Sequence, residues 1–153
     1  MVAFIALYVL FPRSLFSFFR NALRRRGKLT LKSIKAGDMV WPYLEGGSPD
    51  AEPLVLLHGF GGDKDNWAMY APEMVGKYRL IAPDLPGFGD NIREIGRDYD
   101  MATQAARVRD FLDAMGIDKC HIGGNSMGGF VSLRFALDYP ERLISMTLFN
   151  NAG

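Results

Sequence analysis

The sequence has a single cysteine, Cys120, and only two histidines, His58 and His121, among its 153 residues. One cysteine excludes an intrachain disulfide, and its place in a predicted strand indicates a buried, unreactive thiol. No cluster of histidine, cysteine and carboxylate residues has the spacing of metal ligands. The sequence therefore predicts no metal site and no cofactor.

Acidic residues are absent from residues 1–28, which carry six basic side chains. Residues 29–153 carry 12 basic and 17 acidic side chains, so the overall net charge of +1 combines a positive head with a negative body. The body has no feature of a nucleic-acid-binding protein, whereas the basic head favours contact with a negatively charged surface. We therefore divide the chain into a hydrophobic, basic, membrane-associating segment, 1–28, and a domain, 29–153.

A long uninterrupted apolar run is also lacking. Residues 1–19 are strongly apolar but are interrupted by Pro12 and Arg13, and a spanning helix needs about 20 apolar residues. A cleaved signal peptide is disfavoured, because no basic segment precedes the apolar run and no small-residue cleavage site follows it. Three interpretations remain: a spanning anchor with the body on the cytoplasmic side, a helix lying in the membrane interface, or a helix packed on a soluble cytoplasmic protein. We expect membrane association.

The remainder of the chain alternates predicted strands and helices. Alternating polarity over 29–44 predicts an antiparallel hairpin at a sheet edge, and Pro42 favours an edge position for its second strand. Strands are predicted near 53–58, 79–83, 119–123 and 143–149, and helices over 64–74, 101–115 and 127–139. This order predicts a mostly parallel sheet with helices on both faces. The residues expected to face inward are Trp67, Tyr70 and Met74 in the first helix, Ala105, Val108, Leu112 and Met115 in the second, and Phe130, Leu133 and Leu137 in the third.

Residues 124–128 form the pattern G-x-S-x-G between a predicted strand and a predicted helix. In that setting the pattern is typical of a nucleophile elbow, in which Ser126 projects from a tight turn and Gly124 and Gly128 relieve crowding. The alternative is a turn rich in glycine and serine that only joins two elements. Ligands of parallel sheets bind where the strands end, which favours the elbow because other glycine-rich or polar loops follow strands there. These loops are His58–Gly62, Asp84–Gly89 and Asn150–Gly153.

From about Val40 to Gly153 the chain resembles the α/β-hydrolase superfamily. The resemblance rests on three motifs in the right order and spacing: His58-Gly-Phe-Gly61, Asp84-Leu-Pro-Gly-Phe-Gly89 and Gly124-Asn-Ser-Met-Gly-Gly129. Within the superfamily the chain looks most like serine lipases, esterases and the monoacylglycerol-lipase-like branch, over the amino-terminal half only. The resemblance implies an α/β-hydrolase fold truncated after the sixth strand and preceded by a hydrophobic helix.

The resemblance also implies a reaction and its participants. Ser126 would attack an ester carbonyl to form an acyl-enzyme, and the backbone N–H groups of Phe60 and Met127 would bind the oxyanion. Gly59 and Gly61 would allow that backbone to approach the substrate closely. The implied substrate is a small carboxylic ester, and the basic, phenylalanine-rich head favours a lipid acyl ester.

The chain departs from the family pattern after Ser126. The family order is nucleophile, acid, histidine, yet no histidine follows Ser126 and the only later acids are Asp138 and Glu141. The resemblance makes His58 a loop-orienting residue and Asp84 a turn-shaping residue, and His121 is expected to be a buried, hydrogen-bonded histidine. The chain therefore holds a candidate nucleophile and oxyanion donors without a recognisable base or acid.

Three explanations of this departure stay open: an incomplete piece of a full hydrolase, which we favour, an inactive truncated product, or a non-catalytic hydrolase-like binding protein. Among enzymes, the alternatives to an ester hydrolase are a carbon–carbon bond hydrolase and a haloperoxidase-like member of the same fold. We expect the 153-residue chain alone to be poorly soluble. We also expect it to be inactive, because Ser126 would lack an activating base.

Overall fold

One six-stranded mixed sheet organises the protein, in the order β1-β2-β4-β3-β5-β6. It is seen in a computed structural model that describes residues 12–152. The β1–β2 and β2–β4 pairs are antiparallel, and β4, β3, β5 and β6 run parallel to one another. The predicted edge hairpin and parallel sheet are confirmed. The strands are β1 Thr30–Ala36, β2 Met39–Gly46, β3 Pro53–Leu57, β4 Arg79–Pro83, β5 Cys120–Asn125 and β6 Leu143–Phe149.

The second strand of the hairpin, β2, is not itself at the sheet edge. It lies between β1 and β4, so the edge position predicted from Pro42 was wrong. Proline is tolerated because the pairing of β2 with β4 starts only at Tyr43, where Tyr43 is opposite Pro83. Beyond that point the N–H of Asp84 donates to the Pro42 carbonyl oxygen at 2.9 Å.

Residues 12–152 also contain four α-helices and two 3₁₀ turns; the first helix precedes β1 and the others lie between strands. The third helix follows its prediction closely: Asp100 caps it by accepting from the Thr103 N–H, and Gly116 ends it with a φ of +67°. The single helix predicted over 64–74 is instead two short pieces, because Pro72 lacks the N–H that would bond to the Ala68 carbonyl. The helices are α1 Pro12–Arg26, α2 Ala71–Met74, α3 Met101–Ala114 and α4 Met127–Asp138, with 3₁₀ turns at Lys64–Trp67 and Pro140–Arg142.

The sheet separates two hydrophobic cores. The larger core lies against α3 and α4, where Trp41 stacks on Phe111 with ring centroids 4.9 Å apart. The smaller core lies on the other face, where Trp67 packs with Leu44 and Leu56, and Leu23 of α1 joins them. Neighbouring residues of the central strands β3 and β4 contribute to opposite cores, as the two-residue period of a strand requires. Among the described residues, no helix combines the length and apolarity needed to cross a membrane.

The inward face of α4 differs from its prediction. Phe130 and Leu137, expected inside, are exposed, whereas Val131 and Phe135 are fully buried. The small residues at the start of the helix cause this rotation: the place for a Cβ at Gly128 lies 2.4 Å from the Leu57 carbonyl oxygen. The glycine-containing side therefore faces the sheet, and the buried residues follow from it at helical spacing.

Candidate active site

Ser126 lies in the tight turn between β5 and α4, with φ +52° and ψ −117°. A non-glycine residue in this region of backbone space is strained by about 1–3 kcal/mol, which the surrounding structure must offset. The serine backbone is held on both sides. Its N–H donates to the Phe149 carbonyl at 3.0 Å, and its carbonyl accepts from the N–H groups of Phe130 and Ala152, each at 3.1 Å.

The glycines of the turn lie where side chains do not fit. A Cβ at Gly124 would be 2.1 Å from the Gly128 carbonyl oxygen. A Cβ at Gly128 would be 2.4 Å from the Leu57 oxygen and 2.5 Å from the His58 oxygen. Because all these neighbours are backbone atoms, they cannot rotate away. The first turn of α4 thus packs directly on the end of β3.

The loop after β3 passes beside the serine. The place for a Cβ at Gly59 lies 3.3 Å from the Ser126 Cβ, and Gly61 has a φ of +71°. The Gly59 carbonyl oxygen accepts from the Gly62 N–H at 3.1 Å and lies 2.8 Å from His58 Nδ1. The C=O and N–H groups of a trans peptide point in opposite directions. Because the Gly59 carbonyl points toward the Gly62 N–H and the His58 ring, the Phe60 N–H points away from them.

His58 is a buried part of this loop. Its Nε2 accepts from the Leu85 N–H at 3.0 Å, so the ring proton is on Nδ1 and is donated to the Gly59 carbonyl. Burial lowers the pKa of His58, which keeps the ring neutral. Both ring nitrogens are engaged, which agrees with the loop-orienting interpretation and leaves neither to act as a base.

Asp84 and Lys64 form a buried ion pair next to this loop. The Asp84 carboxylate accepts from the Lys64 N–H, the Lys64 Nζ and the Asp90 N–H, each at 2.7 Å. Burial lowers the pKa of Lys64, but the bonds to Asp84 and Asp90 outweigh that effect and leave the pKa raised. Asp84 was predicted to shape a turn, whereas the burial of Lys64 was not predicted, since a lysine at the start of a helical segment is usually exposed.

Two cavities lie on either side of the turn, one lined by Asn125 and the other by Met127. The Trp67 cavity, of about 510 Å³, is lined by His58, Asn66, Trp67, Tyr70, Met74, Asn125, Phe149 and Asn150. The Phe88 cavity, of about 550 Å³, is lined by Phe60, Gly87, Phe88, Arg93, Glu94, Ile95, Tyr99, Met101 and Met127. The Phe88 cavity is mostly apolar and includes both candidate oxyanion residues, Phe60 and Met127.

Within residues 12–152, no side chain forms a hydrogen bond with the Ser126 hydroxyl. Asp138 is bound to Arg134 at 2.7 Å at the far end of α4, which at 12 residues is about 18 Å long. His121 lies instead on β5, where it bonds Ser145 Oγ at 2.8 Å and the Glu52 carboxylate at 3.1 Å and is only partly buried. The Cys120 thiol is buried, which raises its pKa to about 12.

A mostly parallel sheet whose fifth strand ends in a strained serine turn defines the α/β-hydrolase class of folds. The sequence profile described as alpha/beta hydrolase fold matches residues 52–152. The chain belongs to the α/β-hydrolase superfamily.

Proteins similar to this chain include lipases of bacteria and animals. It is 41% identical over 133 residues to Lipase 1 of Psychrobacter immobilis, covering 85% of this chain and 41% of the lipase. It is 30% identical to monoacylglycerol lipase abhd6-A of Xenopus laevis, covering 99% of this chain and 46% of that protein. The crystal structure of a membrane phospholipase A, described as a bacterial virulence factor, superposes with a TM-score of 0.90 at 40% identity, covering 99% of this chain and 50% of that one. The chain thus spans half or less of the length of these relatives.

Proposed function

We propose that this chain is the amino-terminal half of a serine hydrolase that cleaves carboxylic esters of lipids. The proposal rests mainly on Ser126, which is held at φ +52° at the end of β5 with the Gly59 backbone beside its Cβ. The similarity to lipases supports an ester of a lipid as the substrate.

In the proposed reaction the Ser126 Oγ bonds to the ester carbonyl carbon while its proton passes to a general base. The carbonyl oxygen becomes an oxyanion, which accepts from the N–H groups of Phe60 and Met127. Met127 is the first residue of α4, where N–H groups have no partner within the helix and the helix dipole is positive. The intermediate collapses to an acyl-enzyme as the alcohol leaves with the base's proton, and water then releases the acid.

The Phe88 cavity is the proposed site of the acyl chain. Its lining includes the apolar side chains of Phe88, Ile95 and Met101 together with the two proposed oxyanion residues, Phe60 and Met127. An acyl chain bound there would place its carbonyl carbon near Ser126 while its methylene groups leave water.

The base and the acid are proposed to come from polypeptide beyond Gly153. The Ser126 hydroxyl lacks a side-chain partner in residues 12–152, and the chain covers 41% of Lipase 1. The strand β6 is the last of the described sheet, and its residues Ile144 and Phe149 are exposed. Apolar strand edges of this kind are usually covered in folded proteins.

The test is covalent labelling of Ser126. We expect a fluorophosphonate probe to modify Ser126 in the polypeptide extended past Gly153 along its natural reading frame, here called the extended polypeptide. The 153-residue chain should react far more slowly, because no base activates its serine. Mass spectrometry of the modified peptide identifies the residue. A folded extended polypeptide that stays unlabelled would favour the non-catalytic binding protein.

A membrane surface is the proposed location of the substrate. On α1 the side chains of Phe16, Phe18 and Phe19 are 63%, 67% and 50% exposed. The same helix ends in the exposed Arg25 and Arg26 and has no acid in its first turn. Aromatic side chains next to basic ones favour insertion at an anionic lipid surface, and the basic excess favours the cytoplasmic side.

This location predicts a specific loss of membrane binding. Replacing Phe16, Phe18 and Phe19 together with serine should weaken binding of the extended polypeptide to phosphatidylglycerol vesicles by about tenfold or more, because apolar area no longer leaves water. Vesicle flotation measures the bound fraction. The matched control replaces three exposed apolar residues elsewhere, Leu31, Val40 and Leu137, with serine and should bind like the unaltered protein. Equal losses in both variants would contradict a specific role for α1.

A further inference from the structure

A lysine with 1% of its side chain exposed lies behind the loop that carries Phe60. Lys64 donates through Nζ to Asp84 and to Asp90, each at 2.7 Å, and Asp84 is itself fully buried. Burying such a charged pair costs several kcal/mol in desolvation, and its net contribution to stability is often small. The pair is also unused by the reaction described above, so its placement calls for another role.

His58 holds the amino-terminal end of the loop, and the ion pair holds its carboxyl-terminal end. At the amino-terminal end the Leu85 N–H donates to His58 Nε2 at 3.0 Å. At the carboxyl-terminal end the Asp84 carboxylate accepts from both the backbone N–H and the Nζ of Lys64. Loop 58–64 is therefore attached at both ends to two consecutive residues, Asp84 and Leu85. Asp84 in turn is held by the Asp90 N–H and, through its carbonyl, by the Asn91 side chain.

We propose that Lys64 is a positioning residue for the oxyanion hole: through its ion pair with Asp84 it sets the place of the Phe60 N–H relative to Ser126. This inference rests on the proposed function, because it needs Phe60 to bind the oxyanion. Five residues separate His58 from Lys64, and three of them, Gly59, Gly61 and Gly62, are glycines, which restrict the backbone little. The position of Phe60 therefore depends on both attachments. A displacement of about 1 Å in such a group can cost on the order of 100-fold in rate.

The test separates positioning from stability in the extended polypeptide. Lys64→Met removes the charge and keeps an unbranched apolar stem, and the control Arg79→Met breaks the Arg79–Glu45 ion pair, which does not touch the loop. Fluorophosphonate titration counts competent sites, so that kcat, KM and inhibition are expressed per folded site. The inhibitor is a trifluoromethyl ketone: the Ser126 Oγ bonds to its carbonyl carbon while the hydroxyl proton passes to the general base, and the carbonyl oxygen becomes a hemiketal oxyanion.

We expect Lys64→Met to lower kcat per site about 10- to 100-fold and to raise the Ki of the trifluoromethyl ketone by a similar factor, with KM little changed. Arg79→Met should leave kcat and Ki per site unchanged. Unchanged kcat and Ki in a folded Lys64→Met protein would overturn the inference. If Lys64→Met fails to fold, Asp90→Ala decides, since Asp90 is exposed. Loss of Asp90, the second partner of Lys64, should lower kcat and raise Ki by about two- to fivefold each. No change in either value would again overturn the inference.

The two proposals fail in distinguishable ways. If the unaltered extended polypeptide is not labelled at Ser126, the proposed function is refuted and the oxyanion role of the loop with it. If it is labelled and Lys64→Met behaves like Arg79→Met, the proposed function stands and only the positioning role of Lys64 is refuted.

Discussion

Replacing Ser126 with alanine is expected to lower ester hydrolysis by the extended polypeptide by a factor on the order of 10⁶, to the residual level that oxyanion binding alone supports. The alanine keeps the Cβ, so the strained turn and its contacts with Phe149 and Ala152 are preserved. Hydrolysis of a p-nitrophenyl ester measures the loss, and fluorophosphonate labelling should disappear with it. Activity close to that of the unaltered protein would exclude Ser126 as the nucleophile.

A second variant at the same position tests whether the turn is strained. Ser126→Gly also lacks the nucleophile, but glycine adopts a φ of +52° without the clash of a Cβ. We expect Ser126→Gly to be more stable than Ser126→Ala by about 1–2 kcal/mol, part of the strain that the native serine stores. Urea unfolding measures the difference. If Ser126→Gly were less stable than Ser126→Ala, the backbone at residue 126 would not be strained.

The parts of the fold that local chemistry determines were predictable. The order of strands and helices, the cap at Asp100 and the end of α3 at Gly116 each follow from a few neighbouring residues. The break between the 3₁₀ turn and α2 was also encoded locally, by Pro72, and the prediction of one helix overlooked it. Apolar spacing alone had suggested a continuous helix through that proline.

Features that depend on distant backbone were not predictable in the same way. The inward face of α4 is set by the contact of Gly128 with β3. The positions of the large apolar residues Phe130 and Leu137, which are exposed, do not predict that contact. Likewise Lys64 and Asp84 are 20 residues apart, and nothing near either residue marks the ion pair. The serine turn was found because its motif is contiguous, whereas the supports of the turn come from separate loops.

Gly128→Ala is expected to destabilise the protein by about 3 kcal/mol, a large part of the 5–15 kcal/mol that holds a typical domain folded. The added Cβ would lie 2.4 and 2.5 Å from the carbonyl oxygens of Leu57 and His58. Because both are backbone atoms at the end of β3, relief requires moving either α4 or the strand that leads to the Phe60 loop. The variant should therefore also label more slowly at Ser126.

The control for this substitution is Gly76→Ala. Gly76 has no atom within 4 Å of its Cβ position and does not have a left-handed φ. Alanine there should leave stability unchanged or raise it by about 0.4–1 kcal/mol, by restricting the unfolded chain. The midpoint of urea unfolding and the rate of fluorophosphonate labelling are measured for both variants. If Gly128→Ala matched Gly76→Ala in both measurements, α4 could not be packed against the end of β3 as described. A lower urea midpoint together with slower labelling of Gly128→Ala would show that the packing of Gly128 supports both the stability of the turn and the reactivity of Ser126.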